Sequence, residues 1–134
     1  MKYVLDTNIV ALWLRNDDRV LARLKTIKPA DLGLPLMVLA ELLFGAEKSA
    51  RPKGNRDRVD RLAARIAVLP MTRVTIEHYA AERAQLEKRG LPKSDFDLII
   101  ACTALEHGAI LVTNDGNLND GSIKRLRVED WLAP

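Results

Sequence analysis

The chain contains one cysteine, Cys102, and only 4% of its residues are aromatic. A lone cysteine excludes an internal disulfide and a cysteine-based zinc site. Cys102 falls on the apolar side of a predicted helix, where a small inert core residue is expected. With so few aromatics the core must rest on Leu, Ile, Val and Ala. No apolar run approaches the ~20 residues needed to span a bilayer. The opening Met1-Lys2-Tyr3-Val4-Leu5-Asp6 meets a carboxylate too early for a secretory leader. A cytoplasmic protein with no membrane partner is therefore expected. There is no internal repeat, low-complexity tract or linker, and no Gly-rich run ending in Lys-Ser or Lys-Thr, which excludes P-loop chemistry. What remains is an ordinary globular composition, 48% hydrophobic and 29% charged over 134 residues. One domain over 1–134, large enough for a proper core, is expected.

The net charge of +3 is a mild basic bias, but it is unevenly spread. Lys48, Arg51, Lys53, Arg56, Arg58, Arg61 and Arg65 crowd one stretch, opposed only by Asp57 and Asp60. Such a run is commonly just a solvated face. Beside an acidic, metal-loaded centre it would instead track phosphates, with Lys48, Arg51, Lys53 and Arg56 as the candidates to hold a nucleic-acid backbone.

That centre has four candidate members. Asp6 closes the apolar run Tyr3-Val4-Leu5, and Asp115 follows Ile110-Leu111-Val112. Glu41 lies inside an apolar helical segment, and Asp97 lies just inside the start of another helix. Carboxylates gathered at close range raise one another's pKa unless a cation neutralises them. Oxygen ligands of this kind suit Mg²⁺ or Mn²⁺.

The periodicity supplies a frame for these residues. Tyr3-Val4-Leu5 reads as a strand, followed by a helix with Ile9, Leu12 and Trp13 on one stripe. Asp17 or Asp18 can cap a second helix that carries Val20, Leu21, Leu24 and Ile27 and stops at Pro29. Leu32 to Leu36 is a broken strand, Val38 to about Lys48 an apolar helix, and Arg51 to Arg56 a loop because of Pro52 and Gly54. A basic amphipathic helix, the strand Ala67-Val68-Leu69 and a helix opened by Thr75 and stopped by Gly90 come next. Ser94-Asp95-Phe96-Asp97 opens a helix ending at Gly108. Ala109 to Val112 is a strand covered on both faces, Leu126 to Val128 an edge strand, and Trp131 packs back on the body. Strands separated by helices imply an α/β protein with a parallel sheet. Ligands bind beyond the carboxyl ends of such strands, where Asp6 and Asp115 stand.

Taken in order, Tyr3-Val4-Leu5-Asp6-Thr7-Asn8, Leu39-Ala40-Glu41-Leu42 with Phe44-Gly45-Ala46, Asp97-Leu98-Ile99-Ile100-Ala101, Leu111-Val112-Thr113-Asn114-Asp115 and Asp130-Trp131 make the chain recognisable. It resembles the PIN-domain ribonucleases, and among them the VapC-type toxins of type II toxin–antitoxin pairs. The resemblance implies a three-layer α/β/α Rossmann-like fold with a central parallel sheet and an acidic Mg²⁺ site that cuts RNA. Asp6, Glu41 and Asp97 match the family's first three acids, and Asp115 occupies its looser fourth position. Asp6, Asp97 and Asp115 would hold the metal, while Glu41 would orient or deprotonate a water. In-line attack would leave a 5′-phosphate and a 3′-hydroxyl. Thr113 and Asn8 match polar positions that hydrogen-bond a carboxylate or a bound water. Leu118 stands where a phenylalanine is common, a packing change. The resemblance further implies a cognate VapB-type antitoxin that supplies the DNA-binding part, a homodimer, and structured RNA such as tRNA or an rRNA loop as substrate.

Each residue also has a plainer reading. Asp6 could be only a helix N-cap, Glu41 a surface glutamate, and Asp97 the partner of Ser94 in a capping box. Asp115-Gly116 is a common turn dipeptide. Asp95 is expected to face solvent, and His78 and His107 lack any partner motif for a metal. Among rival functions, a haloacid-dehalogenase phosphatase needs a second aspartate where Asn8 stands, and a receiver domain leaves Glu41 unexplained. A catalytically inactive PIN-like module that binds RNA or protein is the remaining alternative.

Overall fold

The computed structural model describes all 134 residues. Five strands form one parallel sheet: β1 (Tyr3–Leu5), β2 (Leu32–Pro35), β3 (Ala67–Leu69), β4 (Ile110–Val112) and β5 (Val128–Glu129). Their spatial order is β3-β2-β1-β4-β5, so the chain first winds outward from β1 in one direction and then returns to wind in the other. The helices are α1 (Thr7–Leu14), α2 (Asp18–Leu24), α3 (Leu36–Glu47), α4 (Pro52–Ala63), α5 (Arg73–Lys88) and α6 (Asp95–Glu106). Right-handed crossovers place α1 to α4 on one face of the sheet and α5 and α6 on the other. The expected three-layer α/β/α architecture is thus the one found. No helix is long and apolar enough to cross a membrane.

The central strands are buried on both faces, and Val4, Leu5, Leu34, Leu111 and Val112 are fully enclosed. Cys102 is also fully enclosed, and burial pushes its thiol up to about 12, so it behaves as an inert core residue. Trp131 packs edge-to-face on Tyr3 with ring centroids 5.6 Å apart, closing the end of the chain onto β1. Gly33 pairs with Val4 on one side and Ala67 on the other. A Cβ placed there would stand 2.3 Å from Met1 Sδ and 2.7 Å from Leu69 Cδ1. Met1 can swing aside, but Leu69 is packed. Gly33→Val should therefore cost about 1–3 kcal/mol in a urea melt through overpacking, whereas an unchanged midpoint would show that this edge of the core yields freely.

Several boundaries differ from the sequence expectation. Residues 52–56 are not a loop, because Pro52 occupies the first helical position of α4, where its missing N–H costs nothing. Gly54 is carried inside that helix. Ile27 lies outside α2, which ends at Leu24 and gives way to a short 3-10 turn, Pro29–Asp31. Asp17, not Asp18, is the cap of α2. Helix α3 begins two residues before Val38, at Leu36. Helix α5 starts at Arg73, with Thr72 as cap and Thr75 as its capping-box partner three residues on. The last strand is β5, reduced to Val128–Glu129.

Candidate active site

The site is built where the winding direction of the sheet reverses, between β1 and β4. The backbone N–H of Asp6 donates to Val112 O at 3.0 Å, carrying the β1–β4 ladder one residue past the strand. That step sets Thr113 beside Asp6, and Thr113 Oγ1 donates to Asp6 Oδ2 at 2.6 Å. Asp6 Oδ1 accepts from the Thr7 backbone N–H at 2.8 Å, so Asp6 is indeed the N-cap of α1. A carboxylate has about four acceptor positions, and capping leaves some of them free. Asp6 is only 6% exposed. Burial pushes its carboxyl up; the bonds from Thr113 and Thr7 pull it down, and the negative charges of Asp97 and Asp115 push it up again. The net direction is upward. Asp6 therefore feels two acids that lie 91 and 109 positions away in the chain.

Glu41 joins from the other side. Thr7 Oγ1 donates to Glu41 Oε1 at 2.7 Å, which holds α3 against the start of α1 one residue from Asp6. Asp97 is the third residue of α6, and its N–H donates to Ser94 Oγ at 3.2 Å. The return bond of a capping box is not made, so the Asp97 carboxylate is left for other use. At the fourth position, Asp115 Oδ1 accepts from Asn117 N–H at 2.9 Å and braces the turn, while its own N–H donates to Thr113 Oγ1 at 3.0 Å. Thr113 thus ties the loop of Asp115 to Asp6 through a single hydroxyl. Asn8 reaches Asn114 Oδ1 at 2.9 Å and no carboxylate. Thr7 and Asn114 were not singled out from the sequence. Their place beside Asp6 and Thr113 in the quoted motifs was the only signal.

None of Asp6, Glu41, Asp97 and Asp115 takes part in an ion pair. No three acidic, His or Cys side chains come together as a ready-made metal cage. Carboxylate oxygens without His or Cys suit Mg²⁺ or Mn²⁺ and not a closed tetrahedral zinc site. His78 faces Arg125 and His107 contacts Glu106, both apart from these acids. Asp95 is exposed and accepts from Tyr79 Oη, as its different side of the helix requires.

The loop that carries Asp115 is pinned to the start of α6. Lys93, just before the Ser94 cap, donates to Asp120 Oδ2 at 2.8 Å, and Arg89 donates to Ser122 O at 2.7 Å. The Lys93 side chain is 5% exposed, and Asp120 also accepts from the Ser122 backbone and hydroxyl. Those partners hold the Asp120 carboxyl well below its usual range, Lys93 first and Ser122 next. Asp120→Ala should cost about 1–3 kcal/mol, less than the ~3–5 kcal/mol of a fully buried pair because Asp120 stays 38% exposed. A carboxyl lowered by folding stabilises the chain above its unfolded pKa and loses that effect as pH falls through its folded pKa. The gap between parent and variant in urea melts should therefore be constant above about pH 4 and shrink below it.

A groove of about 380 Å³ opens beside the acids between α1, α3 and α4, with Thr7 and Glu41 at one end. Of the basic stretch, Lys48 and Arg58 line it, joined by Arg15 from the end of α1. Arg51, Lys53 and Arg56 do not; Arg56 is paired with Glu47 on the outer surface. The turn of α4 begun at Pro52 carries these three away, which the expected loop over 51–56 did not allow for.

A doubly wound parallel sheet with unpaired acids at its switch point defines an α/β protein whose ligand site is acidic. Comparison with known proteins narrows it. The PIN domain family profile matches residues 3–124. The tRNA(fMet)-specific endonuclease VapC of Shigella flexneri is 32% identical over 98% of both chains. DNA-bound VapBC from Salmonella typhimurium superimposes with a TM-score of 0.90 at 30% identity, over 98% of both chains. VapBC2 from Rickettsia felis, bound to a promoter DNA fragment, gives 0.88 at 29% identity over 98% of this chain and 99% of that one. The chain belongs to the PIN-domain family and, within it, to the VapC ribonucleases. Membership in a family of PIN-domain nucleases implies a divalent metal.

Proposed function

We propose that the chain, folded as one PIN domain over 1–134, is an endoribonuclease toxin that hydrolyses RNA phosphodiester bonds with Mg²⁺, or Mn²⁺ in its place. The observation that carries this is the buried Asp6, unpaired with any cation and electrostatically joined to Asp97 and Asp115. Asp6, Asp97 and Asp115 are assigned to the metal. When bound, such an ion supplies a water of lowered pKa and positive charge against a nonbridging phosphate oxygen. Glu41, steadied by Thr7, would orient the attacking water and accept its proton. Thr113 fixes the Asp6 carboxylate in one orientation. Asn8 acts one step further out, by holding Asn114 at the mouth.

An RNase in the same compartment as the cell's own RNA needs restraint. The VapBC complexes it resembles support a VapB-type antitoxin as partner. That DNA is reached only through that antitoxin, and that this chain is a homodimer in the cytoplasm, belong to the same proposal. Structured RNA of the tRNA or rRNA class is the proposed substrate, in keeping with the named specificity of the Shigella relative. The test is purified chain on labelled total RNA. Cleavage should require Mg²⁺ or Mn²⁺ and leave 5′-phosphate and 3′-hydroxyl ends. Equal cleavage in excess chelator, or 2′,3′-cyclic phosphate ends, would remove the mechanism.

A further inference from the structure

The groove beside Glu41 holds three cations that no carboxylate neutralises. Arg15, Lys48 and Arg58 arrive from the end of α1, the end of α3 and the middle of α4, and none of them appears in any ion pair of the protein. Charges on three separate elements that converge on one groove without counter-ions favour an anionic chain over a solvated face. The floor is open at Gly45, where an added Cβ would meet nothing within 4 Å. Phe44 does not line the groove but stands next to Lys48, which does; it is 65% exposed and the most exposed large apolar side chain in the molecule. Along α3 the order Glu41, Phe44, Lys48 follows helical spacing, so the three share one side of the helix. Lys48 Nζ lies 5.0 Å from the centre of the Phe44 ring.

A free aromatic ring within a line of unpaired cations has a recognisable chemistry. Bases stack on aromatic faces only when they are unpaired and can turn out of a helix, while cations follow the backbone phosphates. We infer that this groove is a binding subsite for an unpaired RNA segment, in which Arg15, Lys48 and Arg58 hold successive phosphates leading away from Glu41 and Phe44 stacks a base. The inference rests on the ribonuclease reading and deepens it: the strand enters single-stranded, and Phe44 is a substrate-binding residue. A base held on Phe44, one helical turn from Glu41, would fix the register of the backbone relative to the acids. The identity of that base would bias which bond is cut.

The test measures binding without cleavage. Anisotropy of a labelled, unstructured RNA hexamer is followed in EDTA across a salt series, beside a blunt-ended RNA duplex whose bases are all paired. Phe44→Leu should weaken hexamer binding about 5- to 150-fold, the loss of one stacked base, with the salt slope unchanged. Phe44→Trp should restore it, and duplex binding should be indifferent to both changes. Arg15→Ala, Lys48→Ala and Arg58→Ala should each reduce the slope of log K against log salt by about 0.7, one single-strand phosphate contact. Gly45→Glu places a negative charge in open space on the groove floor and should weaken the hexamer without unfolding α3. If Phe44→Leu binds the hexamer as tightly as the parent, or changes only the sedimenting mass, the ring serves protein association and the inference falls. If instead no variant alters hexamer binding while Mg²⁺-dependent cleavage persists, the subsite is wrong and the nuclease reading stands. A chain that neither binds nor cuts RNA removes both.

Discussion

Replacing Asp6 with Asn should abolish RNA cleavage and yet give a chain that resists denaturant better than the parent when no metal is present. The two effects have one cause. Asp6 is almost wholly buried, burial disfavours its charge, and Asp97 and Asp115 add repulsion with no cation to answer it. Only two hydrogen bonds, from Thr113 Oγ1 and Thr7 N–H, work in the other direction. An asparagine of the same shape can accept from Thr7 through Oδ1 and turn its Nδ2 toward Thr113, whose hydroxyl also accepts a bond. The cap is kept and the buried charge is gone, so chelated protein should gain about 1 kcal/mol or more in a urea melt. Cleavage should fall about 10³-fold or further, since a loss of ~4 kcal/mol of transition-state charge stabilisation corresponds to that factor. Loss of cleavage with a marked loss of stability would mean that Asp6 is chiefly a structural cap.

The second large effect separates the roles of the acids. Mg²⁺ at a hundred times its dissociation constant should stabilise the folded chain by about 2.7 kcal/mol, because the ion binds the folded state and not the unfolded one. Asp97→Asn and Asp115→Asn should each remove most of that gain at the same Mg²⁺ concentration. Glu41→Gln should keep it and still lose cleavage. The distinction follows from the charges that act on Asp6, those of Asp97 and Asp115, while Glu41 is tied through Thr7. Thermal melts with and without Mg²⁺ measure one property and RNA cleavage the other. If Glu41→Gln erases the metal-linked stabilisation as completely as Asp97→Asn, Glu41 is a ligand and the proposed division of roles is wrong.

The strands Tyr3–Leu5 and Ala67–Leu69 were legible because short apolar runs bounded by Asp6 and Pro70 admit few other local structures. The start of α4 was misread because Pro52 and Gly54 carry turn signals in isolation, and only the packing of Val59 and Leu62 into the core decides for helix. Thr72 was missed as the cap of α5 for a related reason. Thr75 three residues on carries the same hydroxyl, and local pattern does not say which of the two is outside the helix. Of the seven basic residues in the stretch, side-chain direction around α4 selects Arg58 for the groove and carries Arg51, Lys53 and Arg56 elsewhere. Arg15, which completes the trio, lies 33 positions before Lys48 and gives no local sign of belonging with it.

The sequence by itself determined the local chemistry: where strands end, which carboxylates follow them, and that no thiol or imidazole set competes for the metal. Those properties depend on a residue and its near neighbours, so a linear reading reaches them. Tertiary structure alone decided the convergence. The reversal of winding between β1 and β4 sets Thr113 beside Asp6, and the crossover through β2 brings Glu41 within reach of Thr7. The Lys93–Asp120 pair then holds the loop of Asp115 against the start of α6, which carries Asp97. Contacts across 27 to 107 positions depend on strand order and crossover hand, and no pattern within a single segment encodes them.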